Sequence, residues 1–118
     1  MVHEDEDTLA FLDIHPKAPG HTVVIPKVHA PTLMELPKEC VGPVFHTVQK
    51  VAKRLQDVLG AEGLTIGINE GSVSGQTVPH LHIHVLPRFR GDRGSSIHSV
   101  VDNPPEESLE HLRERIQF

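Results

Sequence analysis

His80-Leu81-His82-Ile83-His84-Val85-Leu86 places a histidine at every second position with an aliphatic residue between each pair. Strand side chains alternate between faces. Read as a strand over 80–86, the stretch sets His80, His82 and His84 on one face and Leu81, Ile83 and Val85 on the other, where they can enter a core. Neighbouring histidines on that face stand roughly 6–7 Å apart. Just upstream, Glu70–Pro79 (EGSVSGQTVP) is a polar, glycine-bearing loop. Before it, Leu64, Ile66 and Ile68 alternate with Thr65, Gly67 and Asn69, the pattern of a half-buried strand. Downstream, Arg88–Ser96 (RFRGDRGSS) reads as a basic, glycine-rich loop.

Further out, Val41, Val44, Phe45, Val48, Val51, Ala52, Leu55, Val58 and Leu59 recur at spacings of three and four, with polar residues between them. This predicts an amphipathic helix of about five turns, ended by Gly60 or Gly63. Thr8–Asp13 and His21–Ile25 read as strands joined by the proline- and glycine-bearing turn Ile14–Gly20, hence as a hairpin. Pro26–Pro37 holds three prolines and reads as loop with one short helical turn. Asn103-Pro104-Pro105-Glu106 resembles a helix start with Asn103 as N-cap, and Leu109, Leu112 and Ile116 give that short C-terminal helix an apolar stripe. Four or five strands arranged as hairpins, one long helix and one short one predict an antiparallel α+β domain.

The 118 residues fit a single domain, with an acidic stretch over 1–7 expected to fray and a C-terminal extension over 93–118. The one cysteine, Cys40, excludes an internal disulfide framework and any two- or four-cysteine zinc site. A net charge of −5, no Trp or Tyr and only four Phe argue against nucleic acid as a partner. No run of about 18 apolar residues is present, so no membrane-spanning helix is expected. The acidic start lacks the apolar core of a secretion signal, and a cytoplasmic location is expected.

Ten histidines are the outlier of the composition. Three uses of the alternating row compete: a solvated face, a metal site, and acid–base or nucleophilic chemistry. Perfect alternation speaks against the first. Three histidines along one straight strand cannot all reach one ion at ~2 Å, so a metal would need a remote ligand such as His21. Neutral imidazole is a nucleophile near pH 7 and imidazolium an acid and electrostatic clamp. The upstream loop favours this third use on a phosphate. Gly71 and Gly75 allow close backbone approach, and Ser72, Ser74, Gln76 and Thr77 add donors.

At these residues the chain resembles the histidine-triad (HIT) superfamily, whose signature alternates three histidines with apolar residues. The likeness extends to Leu9–Ile14, Pro19-Gly20-His21, Val24–Lys27 with His29, Asn69-Glu70-Gly71 and Gly75–Pro79, and covers roughly residues 5–92. It implies a HIT-like antiparallel fold and a nucleotidyl hydrolase or transferase acting as a homodimer whose sheet continues across the subunits. It implies His82 as the nucleophile that attacks an α-phosphate and forms a nucleotidyl-histidine, which water then hydrolyses. His84 and His80 would bind and orient the phosphate or nucleophile, and His21 matches a fourth histidine near the α-phosphate. Asp13 matches the acceptor of the ribose hydroxyls, Phe11 and Ile14 part of the base pocket, and Asn69, Gly75, Gln76 and Thr77 positions contacting ribose, phosphate or leaving group. The substrate implied is a small nucleotide conjugate, and the alternative use of the same pocket is a nucleotide-binding regulatory module with little turnover. No cofactor is required for this chemistry and no residue is assigned to a metal, although a divalent cation is allowed. Leu86-Pro87-Arg88 and Gly91-Asp92 look like the branch that cleaves dinucleoside polyphosphates. Asn69-Glu70-Gly71 and Ile25-Pro26-Lys27 look like the phosphoramidase branch. Many relatives carry a further N-terminal segment with apolar contacts to the base and sometimes a Cys-x-x-Cys metal site, neither of which these residues include.

His3, His46, His98 and His111 are read as solvated, His15 as a surface turn residue and His29 as structural. Arg88, Arg90 and Arg93 could meet distal phosphates or simply face solvent.

Overall fold

The structure is a computed structural model that describes all 118 residues. Five antiparallel strands form one sheet: β1 (His3–Glu4), β2 (Thr8–Leu12), β3 (Thr22–Pro26), β4 (Gly63–Gly67) and β5 (Ile83–Arg88), in the order β1-β2-β3-β5-β4. Helix α1 (Lys38–Leu59) crosses one face, and α2 (Leu109–Ile116) follows near the C-terminus. None of the helices is long and apolar enough to cross a membrane. This is the antiparallel α+β architecture expected from the periodicity.

The hairpin of β2 and β3 pairs Ala10 with Val24 and Leu12 with Thr22. Strand β5 then lies against β3, with Val24 opposite Ile83 and Val23 opposite His84. Ala10, Val24, Ile83 and Val85 are buried on the helix side and meet Val44, Val48, Val51 and Leu55 of α1 in one core. Each large aliphatic side chain buried there contributes roughly 1.5–3 kcal/mol by leaving water. Thr47, on the same helical face, escapes an apolar pattern because its hydroxyl is satisfied by Thr8 Oγ1 at 2.8 Å inside the core. Gly60 ends α1 in the left-handed region at φ 70°, and its N–H donates to the Gln56 carbonyl.

Several boundaries differ from expectation for identifiable reasons. Strand β5 begins at Ile83, so His84 lies within it while His80 and His82 precede the ladder. The alternation of burial nevertheless runs unbroken from Leu81 to Arg88. The acidic end does not simply fray: His3 and Glu4 pair with Ala10 and Leu9. Asp5 holds the intervening turn by accepting from the Asp7 and Thr8 amides, each at 2.9 Å. Helix α1 starts three residues earlier than Val41 and carries Pro43 in its second turn. In the C-terminal extension the cap is Ser108, whose hydroxyl accepts from the His111 N–H, and not Asn103, so α2 begins only at Leu109. Strand β4 is a sheet edge, and Ile66, expected in its buried set, is 41 % exposed.

Candidate active site

On the sheet face opposite α1, Phe11, Val23, His84 and Gly67 stand in register across four strands. Asn69 lies two residues past Gly67, the partner of His84 and the last residue of β4. Asp13 lies just beyond the end of β2, and its N–H donates to the His21 carbonyl at 2.9 Å. The turn between β2 and β3 therefore folds Asp13 and His21 against each other. Gly20 makes that turn tight. Its φ is 90°, and an added Cβ would sit 2.6 Å from Leu59 Cδ1 and 3.0 Å from Leu55 Cδ2.

Three of the predicted residues converge at the mouth of this turn. His21 Nε2 and His84 Nδ1 are 2.9 Å apart. Asp13 Oδ2 lies 3.5 Å from His21 Nε2 and 3.8 Å from His84 Nδ1. His82 joins them, its ring centroid 5.2 Å from that of His84. His21 is only 4 % exposed. Burial disfavours the imidazolium form and lowers its pKa, against the opposing pull of Asp13. The pKa of His84 is lowered by burial first and by His21 and His82 beside it. The Asp13 carboxyl sits below the ordinary carboxylate range because it accepts from the His15 N–H, helped by the nearby histidines.

His82 Nδ1 faces the His80 carbonyl oxygen at 2.8 Å. A carbonyl can only accept, so Nδ1 carries a proton, and in the neutral imidazole Nε2 keeps its lone pair. The His80 ring turns elsewhere: its Nε2 donates to the Pro26 carbonyl at 2.9 Å, and its centroid lies 6.1 Å from that of His29. His80 thus reaches the site through its backbone.

The remaining predicted residues fall around this centre. Phe11 is half-buried on β2, whereas Ile14 is 86 % exposed beyond it. A cleft lined by Leu12, Asp13, Pro16, Lys17, Pro19 and His21 opens beside them. Asn69, Gly75 and Thr77 are exposed in the loop that precedes His80. The Gln76 amide is occupied within that loop. Its oxygen accepts from the Gly71 N–H at 2.9 Å, and its nitrogen donates to the Pro31 and Val78 carbonyls at 2.8 and 3.1 Å. The Glu70 carboxylate accepts from the Leu33 N–H and ties the loop to the same segment. Arg88 is committed to Asp92 at 2.7 Å and to Thr65 at 3.0 Å, so it fastens the β5 end of the sheet. The groups that sequence reasoning missed are backbone ones, the Lys17 N–H and the Pro26 carbonyl, which no side-chain pattern reports.

Asp13, His21 and His84 offer three ligand-type atoms close together, the set a divalent cation would use. An ion equidistant from them would lie about 2.0 Å from each, within the range zinc adopts.

A family model described as the HIT domain matches residues 1–91. The chain belongs to the HIT family. Its fold is similar to the crystal structure of a HIT family protein from Bacillus anthracis, at a TM-score of 0.83 and 36 % identity, covering 97 % of this chain and 80 % of that one. A Zn-bound histidine triad family protein from Mycobacterium smegmatis is 43 % identical with a TM-score of 0.74, covering 80 % of this chain and 68 % of that one. An asymmetrical bis(5'-nucleosyl)-tetraphosphatase from Schizosaccharomyces pombe is 40 % identical over 83 residues, 70 % of this chain and 46 % of the relative. The HIT match ends at 91, close to where the packed sheet ends at Arg88.

Proposed function

We propose that this HIT protein is a nucleotidyl hydrolase or transferase that cleaves at the α-phosphate of a nucleotide conjugate, either a nucleoside phosphoramidate or a dinucleoside polyphosphate. The carrying observation is the 2.8 Å contact between His82 Nδ1 and the His80 carbonyl, which holds the proton of a neutral ring on Nδ1 and leaves the lone pair on Nε2. Nε2 attacks the α-phosphorus in line, and the bond to the leaving group breaks with its electron pair, which takes up a proton where the leaving group is a basic amine. Water then displaces His82 from the nucleotidyl-histidine. Asp13 accepts from the ribose hydroxyls, Phe11 and Ile14 border the base, and Asn69, Gly75 and Thr77 contribute donors around ribose and phosphate. Gln76 acts by holding the loop that presents them. His84 and His21 support the phosphate. The resemblance to the tetraphosphatase supports this class of substrate. No step calls for a cofactor.

A homodimer through the β4 edge belongs to the same proposal. The edge strand leaves Ile66 exposed beside a groove lined by Phe45, His46, Gln49 and Ala52 of α1. Sedimentation of the purified chain at twice the monomer mass supports it, and a monomer at micromolar concentration contradicts it.

The deciding experiment is hydrolysis of an adenosine phosphoramidate and a diadenosine polyphosphate by wild type and His82→Ala, each with and without chelator. Cleavage by the wild type regardless of chelator, lost in His82→Ala, is the expected result, and the preferred substrate names the branch. Nucleotide binding with no cleavage of either compound would make the protein a binding module instead.

A further inference from the structure

The turn between β2 and β3 places the Lys17 backbone N–H 3.1 Å from His21 Nδ1. An N–H can only donate, so that nitrogen keeps its lone pair. A neutral His21 then bears its proton on Nε2, the atom that faces His84 Nδ1 at 2.9 Å. His84 Nδ1 must accept, which leaves the His84 proton on Nε2, at the edge of the ring away from His21. One backbone amide therefore sets the tautomer of two imidazoles in series. Burial of both rings, which disfavours a second proton on either, agrees with one proton per ring.

We propose that the Lys17 backbone N–H is a positioning group: it locks His84 as a neutral imidazole whose Nε2–H is a hydrogen-bond donor for an anionic phosphate oxygen, and it reserves the Asp13–His21–His84 cluster for that proton chain and not for a metal ion. The inference rests on the phosphate site proposed above. Its chemical sense lies in His82. When Nε2 of His82 bonds to phosphorus, that ring becomes cationic, and the His84 ring centroid is 5.2 Å away. A second imidazolium there would oppose the step, whereas a neutral donor stabilises the phosphoryl oxygens without repelling it.

The same proton placement decides against the cation that the distances alone admit. A metal on His21 Nε2 needs the ring proton on Nδ1, where metal-bound histidines donate to a carbonyl or carboxylate. Here Nδ1 meets a donor, so ligation would leave two N–H groups opposed or require an imidazolate.

Long-range proton–nitrogen correlation of the histidine rings in the wild-type protein near neutral pH tests this without turnover. That readout separates failure of the lock from failure of the His82 chemistry. His21 and His84 should each show a protonated Nε2 and an unprotonated Nδ1, and equimolar Zn²⁺ should leave both signatures in place. A proton on His21 Nδ1, or loss of the His21 Nε2 proton on adding Zn²⁺, overturns the proposal. In kinetics, His21→Gln can accept from Lys17 through its oxygen and donate to His84 through its nitrogen. It should lose clearly less kcat on an adenosine phosphoramidate than an apolar replacement does. His21→Leu, of similar bulk with no polar atom, should lower kcat on the order of 10–100-fold with a smaller change in KM. Equal losses in the two variants would contradict the lock.

Discussion

In β5, Ile83 and Val85 are fully buried and His84 between them is half-buried at the end of the hydrogen-bond chain that runs from Lys17 through His21. In α2, the equally regular apolar stripe leads nowhere: Leu109 is 78 % and Ile116 71 % exposed. Both segments satisfy their own periodicity. The difference is what stands opposite. Strand β5 lies between β3 and β4 with α1 beneath it, so each of its faces has a use. Helix α2 follows a long exposed run from Arg93 to Ser108 and packs no buried residue. Amphipathicity thus reports that a segment has two faces, and only the neighbouring elements decide whether either face is covered.

Four substitutions break or sharpen this contrast. The largest effect belongs to the polar face of β5. His82→Ala should lower turnover by at least about 10³-fold while leaving the thermal transition near that of wild type, because the ring faces the site and not the core. Full activity in that variant would refute the nucleophile assignment. Next comes the apolar face. Ile83→Ala opens a void among Val24, Val85 and α1 and should cost about 2–5 kcal/mol in denaturant unfolding. A value below about 1 kcal/mol would mean that the sheet does not rest on this strand.

Asp5 gives an intermediate, pH-dependent case at the other edge of the sheet. Its carboxyl is held well below the ordinary range, first by His3 beside it and then by the Asp7 and Thr8 donors. A depressed folded pKa contributes stability that is present above the unfolded value of ~3.9 and fades as pH falls through the folded one. Asp5→Asn should therefore cost about 1 kcal/mol near neutrality, limited by solvent screening. The gap to wild type should narrow as the pH is lowered below about 4. A gap that widens in acid would contradict the sign. The smallest effect is expected from Leu109→Ala, within about 0.5 kcal/mol. A loss as large as that of Ile83→Ala would show that another surface covers α2 in solution.

Much of the molecule is legible in the residues because its elements follow single periods. The hairpin and the body of α1 come directly from spacing, and of the two glycines that could end the helix it is Gly60, in the left-handed region, that does so. The convergence of Asp13 and His21 with the histidine row came from the family resemblance, not from spacing. What escapes is everything set by a partner element or by the backbone. Ile66 alternates like a core residue yet lies on an edge strand. Asn103-Pro104 looks like a helix start, but Ser108 supplies the hydroxyl that caps. His80 shares the parity of His82 and His84, yet its ring is drawn to the Pro26 carbonyl. The amide of Lys17 has no side-chain signature at all, although it fixes two rings of the candidate site.

The central claim is a covalent intermediate on His82. Rapid quenching of the wild-type protein during turnover of an adenosine phosphoramidate, under conditions that spare phosphorus–nitrogen bonds, followed by peptide mass spectrometry, tests it most directly. The account predicts one adenylyl group on the peptide containing residues 80–86, with fragmentation placing it on His82. Steady turnover with no adduct on that residue at any quench time would contradict it.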